Sequence, residues 1–148
     1  MKSTFLFLFV IFISFSLLAQ EKVDTIICGN YRVIIQVPEF SLRHAKLQNY
    51  EEGFFKIYPS ADSSYLLVHY GSMMTLPFLR NRGTCDSFKI GNIGSTIRGI
   101  NKDKLFREDR YENKNIIILY ENINKSKGAF YNSILDNVRI ELLKNSIK

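Results

Sequence analysis

The sequence predicts an α+β domain, a mostly antiparallel sheet of seven or eight short strands with a C-terminal helix packed on it. Three observations carry this reading. Apolar residues alternate with a period of two through most of the chain, the mark of strands with two unlike faces. Gly, Pro, Asn and Asp residues punctuate those runs as turn formers. Toward the end, in "KGAFYNSILDNVRIEL", the period lengthens to that of a helix.

Taken in order, "DTIICGNYRVIIQVP" reads as two strands about Gly29-Asn30, a dipeptide suited to positive-φ turn positions. In the second strand Tyr31, Val33, Ile35 and Val37 point one way and Arg32, Ile34 and Gln36 the other. Pro38 ends it, because proline has no N–H for a ladder. Residues 39–52 show weak helical spacing through Phe40, Leu42, Leu47 and Tyr50, which predicts a loop with at most a short helix. "FFKIYP" and "SYLLVHYG" form a hairpin across "PSADSS". "MMTLPFL" is apolar but holds Pro77, an edge strand or a buried loop. Glycines 91, 94 and 99 divide "SFKIGNIGSTIRGI" into two short strands about a turn. "KLFREDRY" is a charged strand, Glu112–Asn115 a turn, and Ile116–Tyr120 a central strand apolar enough to be buried on both faces. Phe130, Ile134, Leu135 and Val138 then share one helical face, although Val138, Ile140 and Leu142 also alternate as a short strand would.

This order of elements, from "YRVIIQVPEF" through "STIRGI", "KLFREDRY" and "NIIILY" to "FYNSILDNVRI", resembles the PsbP-like and Mog-type α/β/α sandwich proteins. The resemblance spans most of residues 24–142 and rests on structural positions. The tryptophan that follows the N-terminal proline in that family has no counterpart, since the chain has no Trp. It implies a non-enzymatic scaffold that docks on another protein, and it transfers no site residues.

The first 19 residues read differently. Lys2 supplies a positive start, Phe5–Ile13 is an unbroken apolar run, and Ser14–Leu18 leads down to the small residue Ala19. This is the layout of a secretory signal peptide, too short and too interrupted for the roughly 20 apolar residues of a bilayer span. Residues 1–19 are therefore expected to be removed after Ala19, leaving 20–148 as a single exported globular domain. No cysteine stands at the cut, so the expectation is a periplasmic or secreted protein that is not a lipoprotein and keeps no stable membrane span.

The charge is uneven. Residues 20–79 carry five basic and six acidic side chains, residues 80–148 fourteen and eight. Such a basic half suits an envelope or extracellular protein or an anionic polymer, nucleic acid being excluded by export, and it equally serves as a solvated face. The candidate anion-facing patch is Arg80, Arg82, Arg98, Lys102, Lys104, Arg107 and Arg110. The eight tyrosines offer stacking or contact area, or core-edge packing.

Outside the cytosol, the pair Cys28 and Cys85 reads first as a disulfide. The competing readings are an inert buried thiol pair, and Cys85 as a thiolate activated by Arg80 and Arg82, which requires a base from His44 or His69. Neither histidine has a metal-ligand spacing, so no metal and no cofactor is expected. His69 shares a strand face with Tyr65 and Leu67. Glu108 and Asp109 lie between Arg107 and Arg110 and read as ion pairs on a solvated strand. "GNIGST" fits neither a nucleophile elbow nor a phosphate loop. The chemistry thus favours a small exported binding or assembly module. An inhibitor or immunity-type protein, and a hydrolase or thiol enzyme with a dispersed site, stand as alternatives.

Overall fold

The computed structural model describes residues 20–72, 85–88 and 94–143, the side chains of 85–88 excepted. The leader, "MMTLPFL", Arg80 and Arg82 lie outside them. The chain opens with strands β1 (Glu21–Cys28) and β2 (Tyr31–Pro38), paired antiparallel with Cys28 opposite Tyr31 across a two-residue turn. Gly29 takes φ +58°, a conformation that favours glycine, and an added Cβ would stand 2.3 Å from the Tyr70 hydroxyl, which would have to move aside. Pro38 leads into α1 (Glu39–Arg43), a helix of five residues. Then come β3 (Lys46–Tyr50), β4 (Gly53–Pro59), β5 (Tyr65–Gly71), β6 (Cys85–Phe88), β7 (Gly94–Asn101), β8 (Lys104–Tyr111) and β9 (Ile116–Ile123). Helix α2 (Gly128–Asp136) and strand β10 (Arg139–Leu142) close the order.

These strands form two sheets, one of three in the order β1-β2-β10 and one of seven in the order β3-β4-β5-β9-β8-β7-β6, all antiparallel. The α+β class and the C-terminal helix are as the sequence predicts, but the described residues form ten strands rather than seven or eight, and two sheets rather than one. The additional strands have local causes. "KLQNY" of β3 is almost wholly exposed and shows no alternation, and β10 has only four residues beside the helix.

The small sheet and α2 cover one face of the large sheet. Ile26, Val33, Ile35 and Val37 meet Tyr58, Leu66, Val68, Ile116, Ile118 and Tyr120, with Tyr131, Ile134 and Leu135 of α2 beside them. On the far face Leu67, Ile117 and Leu119 form a second cluster with Phe55, Ile57 and Tyr65. Residues Ile116–Tyr120 are therefore buried on both faces, as their composition predicts. Each such side chain contributes about 1.5–3 kcal/mol relative to exposure.

Two polar ties join these layers. Asp24, facing inward from β1, accepts hydrogen bonds from Lys56 Nζ at 2.6 Å and the Tyr58 hydroxyl at 2.7 Å, both on β4. Arg107 on β8 donates to both oxygens of Asp109, at 3.0 and 2.8 Å, and reaches Asp136 of α2 at 2.6 Å. Thr96 completes this site by donating to Asp109 at 2.9 Å. On the opposite face Glu108 accepts from Arg110 Nε. The expectation of a solvated charged strand is thus corrected. Glu108 and Asp109 are each 0% exposed, and both are buried because β8 lies inside the sheet.

Candidate functional site

An open cleft of about 1220 Å³ lies where the end of β2, helix α1, the β4–β5 turn and the start of α2 converge. Pro38 and Phe40 line one side, Ala61 the turn, and Phe130 and Tyr131 the helical side. Phe40 is 48% exposed, a large apolar side chain at the mouth. Its ring stacks on His44 with centroids 4.2 Å apart, and His44 Nδ1 donates to the Phe40 carbonyl at 2.8 Å. The spacing of four places both rings over one another on a single helical turn. Tyr131 is buried, and its hydroxyl shares a 2.7 Å hydrogen bond with Ser60 Oγ, which ties α2 to the turn.

Four of the five acidic and basic side chains lining the cleft, Glu21 being the fifth, are closed into pairs. Arg43 bonds Glu39 within α1, and Lys127 Nζ lies 2.5 Å from Asp62. The Lys127 contact, with Ser64, holds the Asp62 carboxyl down to about 2. The same Asp62 contact raises the Lys127 ammonium above its ordinary value. What the cleft offers is aromatic surface with an edge whose cations are both paired. Its histidine bonds a carbonyl and its Ser60 hydroxyl a tyrosine, so His44 and Ser60 are not paired with each other as base and nucleophile.

The basic residues singled out in the sequence do not gather into one surface. Arg107 faces α2 and is consumed by Asp109 and Asp136, whereas Arg110 points to the other face of the sheet and pairs with Glu108. Lys104 donates to Asn124 Oδ1, and Lys102 stands in the β7–β8 turn at φ +47°. Arg98 is exposed on β7, directly opposite Arg107 in the register. Arg80 and Arg82 are outside the described residues.

Of the expected Cys28–Cys85 bridge, the structure describes the Cys28 side, which carries no disulfide. Cys28 is a free thiol, 0% exposed, and burial pushes its pKa up to about 12. The hairpin turn beside it lies over Tyr70 of β5, while Cys85 begins β6 at the far edge of the same sheet. The thiolate reading concerned Cys85, whose side chain lies outside what the structure describes.

His69 keeps the face predicted for it, beside Leu67 on β5, and is fully buried. Its Nε2 hydrogen-bonds with the Tyr50 hydroxyl at 2.6 Å, and Nδ1 has no partner. No group of three or more His, Cys, Asp or Glu able to hold a metal occurs among the described residues. None of the helices described is long and apolar enough to cross a membrane. Sequence reasoning passed over the cleft. Its signal was the Phe40-x-x-x-His44 spacing immediately after a strand-ending proline. Compared with family models, curated proteins and solved structures, the chain matches none.

Proposed function

We propose that this protein is a small exported, non-enzymatic binding module that holds an apolar segment of a protein partner in the cleft between α1 and α2. The observation that carries the reading is the exposed Phe40–His44 stack facing the aromatic side chains of α2 across an open cleft. At about 1220 Å³ the cleft is larger than the roughly 300–1000 Å³ of ordinary small-molecule pockets, which suits a length of chain better than a compact ligand. The ion pairs at its rim leave little for an anionic polymer to bind, and the dispersal of Arg107 and Arg110 onto opposite faces weakens that alternative further. A partner-docking role also accords with the resemblance to PsbP-like and Mog-type scaffolds.

Selection from a displayed library of random peptides tests this. Sequences rich in aromatic and aliphatic residues are expected to enrich, and Phe40→Ala is expected to weaken a selected peptide by about tenfold or more, the worth of one buried aromatic contact. Arg98→Ala, away from the cleft, should leave affinity unchanged. Failure to enrich, or equal affinity for Phe40→Ala, would sink the reading. Retention on a sulfated polysaccharide at physiological ionic strength would restore the anionic-polymer alternative.

A further inference from the structure

Strand β1 is an edge of the small sheet and, at eight residues, is longer than β3, β6 or β10, the strands at the other sheet edges. Cys28 and Tyr31 flank a two-residue turn, so they form a hydrogen-bonded pair, and along β1 every second residue repeats that pattern. Lys22, Asp24, Ile26 and Cys28 therefore turn their backbone groups toward β2. Glu21, Val23, Thr25 and Ile27 turn theirs away, toward an edge that no described strand pairs. Thr25 displays this directly, since its N–H donates not to a strand but to Asp24 Oδ1 at 2.8 Å in an exposed position. The side chains of Val23 and Ile27 are 58% and 55% exposed, two aliphatic residues that the fold leaves in water.

From this edge we infer that the protein binds a second copy of itself, β1 pairing antiparallel with β1 of the partner about a two-fold axis at Thr25. Three independent requirements meet in that one register. Backbone parity requires the outward-facing odd-numbered residues to pair with one another, which puts the axis on a residue rather than between two, and centring on Asp24 would set two carboxylates face to face. Centring on Thr25 pairs Val23 with the partner's Ile27 on both sides of the axis, and sets the two Thr25 residues face to face, a favourable cross-strand pair. It also uses more of the strand than centring on Val23 or Ile27. No like charges come opposite one another: Glu21 meets the turn glycine, Lys22 meets Cys28 and Asp24 meets Ile26.

The three hydrogen-bonded pairs formed in this way exchange six backbone bonds. What they displace is the Thr25 N–H contact with Asp24, a guard on this edge. Asp24 can release it cheaply, because its other oxygen keeps Lys56 and Tyr58. Ile34, opposite Thr25 in β2, continues the outer surface, so the dimer carries a six-stranded sheet with Val23, Ile27 and Ile34 of both copies along it. The inference draws nothing from the cleft and stands or falls apart from it.

Sedimentation equilibrium on the protein as exported by its expressing cell, its first residue fixed by intact mass, provides the test. The expected result is a reversible monomer–dimer equilibrium. Thr25→Pro removes an N–H that faces away from β2, a position where an edge strand tolerates proline, and is expected to abolish the dimer while the far-ultraviolet circular dichroism is kept. Val23→Lys places a charge in the seam and should weaken association by about tenfold or more even if the proline variant fails to fold. The amides of Val23 and Ile27 should exchange more slowly as concentration rises. A protein that remains monomeric up to its solubility limit overturns the proposal. So does a dimer that survives Val23→Lys with these amides exchanging at rates independent of concentration.

Discussion

His69 is a neutral ring in a place where a charged one is costly. It is 0% exposed, stacked against Phe55 with centroids 4.9 Å apart, and only its Nε2 is satisfied. Burial lowers its pKa from 6.5 to about 4, against a smaller opposing pull from Glu108. The unfolded chain therefore takes up a proton on this ring as pH falls below 6.5, while the folded chain does not until about 4. Stability is complete above the upper value, falls through the interval, and is lower by about 3 kcal/mol at its acid end. Urea unfolding between pH 7 and 4.5 should show this decline, and His69→Phe should remove it, because the carboxyls of Asp24 and Asp62 are held below their ordinary values and titrate at lower pH. An identical pH profile for the variant would disprove the assignment. Period two placed His69 on its face correctly. Its hydrogen bond to Tyr50 was not legible, because the strand carrying Tyr50 is polar and exposed and gives no alternation to read.

At the scale of the element, the charged strand β8 is the informative case. The order Arg107, Glu108, Asp109, Arg110 gives each face of a strand one cation and one anion, and the structure pairs Arg107 with Asp109 on one face and Glu108 with Arg110 on the other. A strand that carries charges into a sheet buried on both sides needs that balance, since an unpaired buried charge is far costlier than a paired one. The pattern was visible in the sequence. What concealed its meaning was the assumption that charge implies solvent. Asp109→Ala should destabilise by about 3–5 kcal/mol, because it strands Arg107 in a site that is 8% exposed. Asp136→Ala removes a partner whose side chain is 61% exposed, and should cost less than about 1 kcal/mol. The double change Arg107→Met with Asp109→Leu should recover most of the loss. Chemical denaturation of the four proteins measures all three, and equal costs for the two single aspartate changes would show that burial does not govern this network.

For the whole molecule, the division into two sheets depends on pairings that no local pattern records. Strand β10 completes the small sheet by joining β2, and the contact between Arg32 and Glu141 closes a separation of 109 residues. The same long-range arrangement decides the fate of the cysteines, which sequence counting alone would join. Cys28 sits at the end of β1, packed in the cluster that includes Tyr58 of β4, next to a turn resting on β5. From β5 to β6 the sheet passes through β9, β8 and β7, four steps or about 19 Å at the usual strand spacing. A disulfide requires Cα atoms within about 7 Å. The chain alkylated in denaturant without reductant should therefore take up two groups, and the folded chain at pH 8 should protect Cys28, whose thiol is held un-ionised by burial. Stability then comes from the two-faced core and the Asp24 and Arg107 ties rather than from a covalent staple, so reductant should leave the melting temperature unchanged. A chain that resists alkylation until reduced, and that melts lower afterwards, would require β6 to lie against β1 and would overturn the sheet order given above.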